Sequence, residues 1–112
     1  MRVLVTGGAG YIGRHVVCQL FQAGHTPEIL DNFCNASMAD VHELEELLQT
    51  ALRVHAVDIV HDKTTLERVI QIGAFDAVVH LAALKSVPES FRDPVAYYQV
   101  NVAGTLNLTD AM

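Results

Sequence analysis

An α/β fold on a parallel sheet is predicted by three features of this 112-residue chain. Its strand-like segments are short unbroken apolar runs, as strands buried on both faces require. Between them lie stretches whose apolar residues recur every third or fourth position, the spacing of a helix with one buried face. The two patterns alternate along the chain. Such alternation implies parallel strands joined by right-handed helical crossovers.

Each element follows in order. Arg2 to Thr6 (Arg-Val-Leu-Val-Thr) reads as the first strand. Glycines punctuate residues 7 to 10. From Tyr11 to Ala23 the stripe Ile12, Val16, Leu20 predicts a helix, and Gly24 is a natural stop. Pro27 to Asp31 reads as the second strand, with proline at its first position, where a missing N–H is tolerated. Asn32 to Ala39 is small and polar, hence a loop. Val41, Leu44, Leu48 and Leu52 mark a second helical stripe, and Val54 to Asp58 a third strand. Thr64 to Ile72 carries Leu66, Val69 and Ile70 on one face and is expected to stop at Gly73. Asp76 to Ala82 is the fourth strand. A last helix is expected to begin near Val95, after Pro94, and to run toward Met112. No repeat, low-complexity stretch or linker divides the chain, so residues 1–112 read as one unit.

Composition narrows the function. Apolar residues make up 51% and charged residues 18%, enough for a packed core and too apolar for a disordered chain. The net charge is −6, and Lys63 and Lys85 are the only lysines. Nucleic-acid and anionic-membrane partners are therefore not expected, because both require clustered Lys and Arg. No apolar run approaches the roughly 18 residues of a membrane span, and no signal peptide is visible. Cys18 and Cys34 are too few for a disulfide scaffold, which points to a reducing, cytoplasmic setting. The six histidines (His15, His25, His42, His55, His61, His80) lack paired-ligand spacing, so no metal is expected. His80 ends an apolar run and reads as a neutral core histidine.

The most informative segment is Thr6-Gly7-Gly8-Ala9-Gly10-Tyr11-Ile12-Gly13, between the first strand and the first helix. Two glycine registers fit it. Gly8-x-Gly10-x-x-Gly13 matches the general dinucleotide fingerprint, and Gly7-x-x-Gly10-x-x-Gly13 the short-chain dehydrogenase/reductase spacing. In either, one glycine makes the tight turn, another lets backbone approach a pyrophosphate, and Gly13 allows close helix–strand packing. Free N–H groups at the helix start then face the phosphates. Asp31 ends the second strand 18 residues after Gly13. A carboxylate there suits a ribose 2′-hydroxyl and favours NAD over NADP, although it could instead cap a turn with Asn32. No Gly-Lys-Ser/Thr follows the glycines, which excludes a P-loop. The fold is thus a Rossmann-type parallel sheet with helices on both faces, expected in the order 3-2-1-4 with the fourth strand at an edge.

Further segments carry a family resemblance. These are Asp31-Asn32 with Asn35, Asp58-Ile59, His80-Leu-Ala-Ala-Leu-Lys-Ser-Val87 with Glu89-Ser90, and Pro94 followed by Tyr97-Tyr98 and Asn101-Val102-x-Gly104-Thr105. With the glycine loop they resemble the N-terminal part of the UDP-glucose 4-epimerases, extended short-chain dehydrogenase/reductases. The Ala-Ala-Leu-Lys-Ser-Val and Tyr-Tyr-x-x-Asn-Val-x-Gly-Thr segments are the more specific ones, and they rank related sugar-nucleotide dehydratases lower.

The resemblance implies a set of cofactor contacts. Gly7, Gly10, Tyr11 and Ile12 resemble the pyrophosphate-loop contacts. Asp31, Asn32 and Asn35 resemble the adenosine-ribose and adjacent phosphate contacts, and Asp58 and Ile59 the adenine contacts. Leu81, Ala82, Ala83 and Lys85 resemble the wall and basic contact beside the ribose and nicotinamide. Asn101 matches a position that supports the inner part of the site. Plainer roles stay open: Asp58 as a turn acid, Lys85 as a surface lysine, Asn101 as a partner of helix backbone. Tyr97 and Tyr98 read as packing residues. Asn35-Ala36-Ser37 departs from the usual Asn-Ser, so a hydroxyl contact to phosphate is lost or displaced by one residue.

The resemblance further implies bound NAD and interconversion of UDP-glucose and UDP-galactose through a 4-keto intermediate, as part of galactose metabolism. The proton is taken by a Tyr in a Tyr-x-x-x-Lys pair helped by Ser or Thr; the Lys lowers the phenol pKa. No such pair occurs here, since Ile59 precedes Lys63 by four residues and Leu81 precedes Lys85 by four. No catalytic residue is therefore assigned. The chain is expected to be the first part of an NAD-binding domain, without its substrate domain and inactive alone. A homodimer is one option for the complete protein. The competing reading is a non-catalytic NAD-binding module or regulator.

Overall fold

The computed structural model describes all residues, Met1–Met112. Four strands, β1 (Arg2–Thr6), β2 (Thr26–Asp31), β3 (Arg53–Ala56) and β4 (Ala77–His80), form one parallel sheet in the order β3-β2-β1-β4. This is the expected order. Thr6 lies opposite Leu30 on one side and His80 on the other, so the strands end together. Crossovers run through α1 (Tyr11–Gln22), α2 (Met38–Leu48) and α3 (Lys63–Gly73). After β4 come α4 (Val87–Arg92), α5 (Pro94–Tyr98), a π-helical segment (Gln99–Gly104) and α6 (Thr105–Ala111). No helix is long and apolar enough to cross a membrane.

Strand side chains point alternately to the two sheet faces, so an unbroken apolar run feeds two cores. Val3, Val5 and Ile29 pack with Val17 of α1 and with Val41 and Leu44 of α2. Leu4 and Leu30 pack on the opposite face with Leu66 of α3 and Leu108 of α6. Leu4 and Ile29 are wholly buried, and each such side chain stabilises the fold by about 1.5–3 kcal/mol.

Glu28 of β2 is buried, with Arg2 Nη2 at 2.6 Å and His55 Nε2 at 2.8 Å. Burial pushes its carboxyl upward, but the hydrogen bonds from Arg2 and His55 outweigh it and hold the pKa below the ordinary glutamate range.

Several boundaries differ from the sequence reading, each for a local reason. α2 starts at Met38, inside the expected loop, because Ser37 and Asp40 form a capping box. Asp40 N donates to Ser37 Oγ at 3.4 Å, and Ser37 N donates to Asp40 Oδ2 at 2.9 Å. Leu52 is not helical: Gln49 turns left-handed (φ 52°) and ends α2. Leu52 still packs on the core, its N–H held by Glu45 Oε1 at 2.7 Å. Gly73 does not stop α3 but is its last residue; Ala74 takes the left-handed turn (φ 44°). A Cβ on Gly73 would run into the Phe75 ring, so the glycine serves packing. β3 ends at Ala56 and β4 spans only Ala77–His80, both shorter than expected. α4 was not anticipated, and the last helix contains a π-helical turn. Gly104 lies there because a Cβ would sit 2.7 Å from Ile59 Cδ1.

Candidate functional site

The strand ends open into a cleft of about 420 Å³ between the glycine loop, the β2 and β3 ends and the segment after β4. Its geometry begins at Gly7. That residue has φ +68°, and a Cβ on it would lie 2.8 Å from Ala82 N. Only glycine satisfies both the turn and the close approach. Across the loop, a Cβ on Gly13 would collide with the Gly7 carbonyl oxygen. Gly7 and Gly13 therefore interlock, as the Gly7-x-x-Gly10-x-x-Gly13 register requires, and Gly8 is confined as well, with Val5 O 2.8 Å from where its Cβ would lie. Gly10 is the N-cap of α1. No side chain caps this terminus, and no acid lies in the first turn. The leading N–H groups are thus left for an anion in the cleft.

Asp31 stands at the neighbouring strand end, 9% exposed. Its Oδ2 accepts Ala9 N at 3.1 Å and its Oδ1 accepts Phe33 N at 3.0 Å. The carboxylate thus ties the glycine loop to β2 and also turns the chain. A carboxylate offers about four acceptor positions, so capacity remains for a hydroxyl.

Beside it, Asn32 Nδ2 donates to Asp58 Oδ2 at 2.9 Å. Asp58 Oδ1 accepts Val60 N at 2.7 Å and His61 N at 3.0 Å. Burial raises the Asp58 pKa, yet the bonds from Asn32, His61 and Val60 prevail and keep it below the ordinary range. Asp58 is therefore a turn acid and also part of the cleft wall.

Every expected contact residue except Asn101 lines the cleft: Gly7, Gly10, Tyr11, Ile12, Asp31, Asn32, Asn35, Asp58, Ile59, Leu81, Ala82, Ala83 and Lys85. Asn101 stands behind the wall. Its Nδ2 donates to Leu84 O and its Oδ1 accepts Leu84 N, both at 2.8 Å. Ser37 is outside the lining, its hydroxyl engaged with Asp40 Oδ2 at 2.9 Å. Tyr97 is tied by its hydroxyl, which donates to Ser86 O and accepts from Ser86 N, each at 2.8 Å. Tyr98 is 71% exposed and does not pack as expected.

Among lining residues the sequence reading missed are Val57, Val60 and Val100. Val57 and Val60 flank Asp58-Ile59, so strand-end position could have found them. Val100 precedes Asn101 in the π-helical segment, whose phase the sequence hides. No three His, Cys, Asp or Glu side chains converge as a metal site would need.

A glycine cradle, an uncapped helix terminus and an acid at the next strand end suit the phosphates and ribose of a dinucleotide. Similarity to known proteins agrees. The model of the family described as GDP-mannose 4,6 dehydratase matches residues 4–112. The chain belongs to this family. Within the GDP-mannose 4,6 dehydratase family, its similar relatives are UDP-glucose 4-epimerases. One from Yersinia pestis is 45% identical over 112 residues, covering 100% of this chain and 33% of the relative. One from Dictyostelium discoideum is 43% identical, covering 99% of this chain and 32% of the relative. A crystal structure of the UDP-glucose 4-epimerase from Stenotrophomonas maltophila, with bound NAD and formylated UDP-arabinopyranose, superposes with a TM-score of 0.95. It is 43% identical, covering 100% of this chain and 33% of that one. The Bifidobacterium longum enzyme in complex with NAD+ and UDP also gives 0.95, at 35% identity over 100% of this chain and 33% of that one. This family member thus spans about a third of the relatives it matches, and the epimerase resemblance read from its sequence holds.

Proposed function

We propose that residues 1–112 are the first part of an NAD-binding domain in a UDP-glucose 4-epimerase. The observation that carries this reading is the cleft between Asp31 and the Leu81–Lys85 wall, closed at its base by an uncapped helix terminus. The α1 N–H groups bind the pyrophosphate. Asp31 and Asn32 hold the adenosine ribose, Asn35 sits near its phosphate, and Asp58 and Ile59 border the adenine. Leu81, Ala82, Ala83 and Lys85 border the nicotinamide half, with Asn101 bracing them from behind. When bound, NAD supplies the hydride acceptor for C4 of the sugar.

UDP-glucose and UDP-galactose are the substrates of the complete protein, interconverted through the 4-keto sugar in galactose metabolism. The 112 residues contain no Tyr-x-x-x-Lys pair, so we place the proton chemistry in the remainder of the complete protein. A homodimer of that protein belongs to the same reading. Its support is the exposed apolar stripe Val95, Tyr98, Val102 and Leu106 along the last helices. A cytoplasmic setting fits two free thiols, Cys18 and Cys34.

Calorimetric titration of the complete protein with NAD and NADP tests the cofactor assignment. NAD is expected to bind at least about tenfold tighter, because the Asp31 carboxylate repels a 2′-phosphate. Equal affinities, or no binding of either, would overturn it. A coupled assay for UDP-galactose conversion tests the activity, and absence of turnover with NAD bound would favour a non-catalytic binder.

A further inference from the structure

We propose that His80 is a positioning residue of the cleft: fixed as the Nε2–H tautomer between Thr6 and Thr105, it sets the Leu81–Leu84 wall. This inference rests on the dinucleotide reading above and adds a residue that lies outside the lining.

The tautomer follows from counting protons. The Thr105 hydroxyl has one hydrogen and donates it to Asn101 O at 2.8 Å. Toward His80 Nε2, 3.0 Å away, Thr105 Oγ1 can therefore only accept, so Nε2 carries the hydrogen. A neutral ring then has a bare Nδ1, which must accept from Thr6 Oγ1 at 2.6 Å. With its hydrogen spent, Thr6 Oγ1 accepts from Ala82 N at 3.3 Å and from Leu81 N at 3.1 Å, the latter shared with the Thr6 carbonyl oxygen at 3.0 Å. Every site on that hydroxyl is used. Burial, with no charged partner, lowers the His80 pKa and keeps the ring neutral.

The bonds form a closed circuit. It runs from the Leu81 and Ala82 amides through Thr6, His80 and Thr105 to Asn101, whose side chain grips Leu84 by both backbone atoms. The wall segment is thus held at one end by Thr6 and at the other by the Asn101 side chain, and the directed bonds join the two through the Asn101 backbone oxygen. Reversing the imidazole tautomer would place two hydrogens between His80 and Thr6, and Thr6 would lose its place for one of the wall amides. The wall stands over β4, on the side of β1 away from Asp31. A dinucleotide with its adenosine half at Asp31 therefore lays its second half on this wall.

The test uses the complete protein and compares NAD with ADP, which lacks the second half. Thr105→Val keeps the shape and removes the hydroxyl. It is expected to weaken NAD about tenfold and ADP less than about twofold. Thr105→Ser, which keeps the hydroxyl, is expected to restore NAD affinity. Nitrogen-15 spectra of the wild-type imidazole should show a protonated Nε2 and a bare Nδ1. A protonated Nδ1, unchanged NAD affinity in Thr105→Val, or equal loss of NAD and ADP would each overturn the proposal. Wild-type protein that binds neither nucleotide would overturn the dinucleotide reading instead, while the nitrogen spectra would still decide the tautomer.

Discussion

Single atoms decide what the glycine loop tolerates. Gly13→Ala places a methyl against the Gly7 carbonyl and the Gly8 backbone. Backbone cannot swing aside as a long side chain does, so overpacking should cost about 1–3 kcal/mol. A lower denaturant midpoint at unchanged slope is the expected result. Asp31→Ala acts on two levels. It strips the partner from the buried Ala9 N–H, which should cost about 1–3 kcal/mol. It should also erase the preference for NAD over NADP in paired titrations. The place of Asp31 was legible in the sequence because strand end and glycine spacing fix it together. The circuit through His80 was not. Its partners Thr6 and Thr105 are 74 and 25 residues away, and no local pattern records which hydroxyls an imidazole meets.

Elements were legible where one force dominates them. The four strands follow from apolar runs, since a strand covered on both faces has no polar side to interrupt it. Helix ends were harder, because a stripe every four residues does not reveal where the backbone turns. Leu52 extends the α2 stripe in register, yet the left-handed Gln49 has already ended the helix. The π-helical segment was hidden for a related reason, as one extra residue per turn leaves composition unchanged. The cap of α2 offers a direct test. Ser37→Ala should lower stability by about 1 kcal/mol, read from the midpoint of chemical unfolding. The backbone and side-chain bonds from Ser37 also hold the Asp40 carboxyl below its ordinary range, with Arg14 assisting. That contribution is present above the unfolded aspartate value and fades as pH falls through the folded one. Ser37→Ala should therefore soften the acid loss of stability.

The sheet as a whole carries an acid-sensitive tie across three of its strands. Glu28 joins β2 to Arg2 of β1 and His55 of β3. Its lowered pKa stabilises the fold fully above the ordinary glutamate range, and that stability is lost as pH falls through the folded value. Glu28→Gln should cost about 2 kcal/mol at neutral pH, the range for hydrogen bonds to a charged group. It should also flatten stability against pH on the acid side, as followed by thermal melting. A last consequence lies in the pairing of Val3 with Ala77. β1 leaves a synthesising ribosome first, but its second neighbour follows only after all three crossover helices. Closing that long loop is an entropic cost met late. In folding during synthesis, the half of the cleft around Asp31 can thus take shape with β1 and β2, while the half around Ala82 waits for β4. The two sides of one binding site are separated in time as well as in sequence.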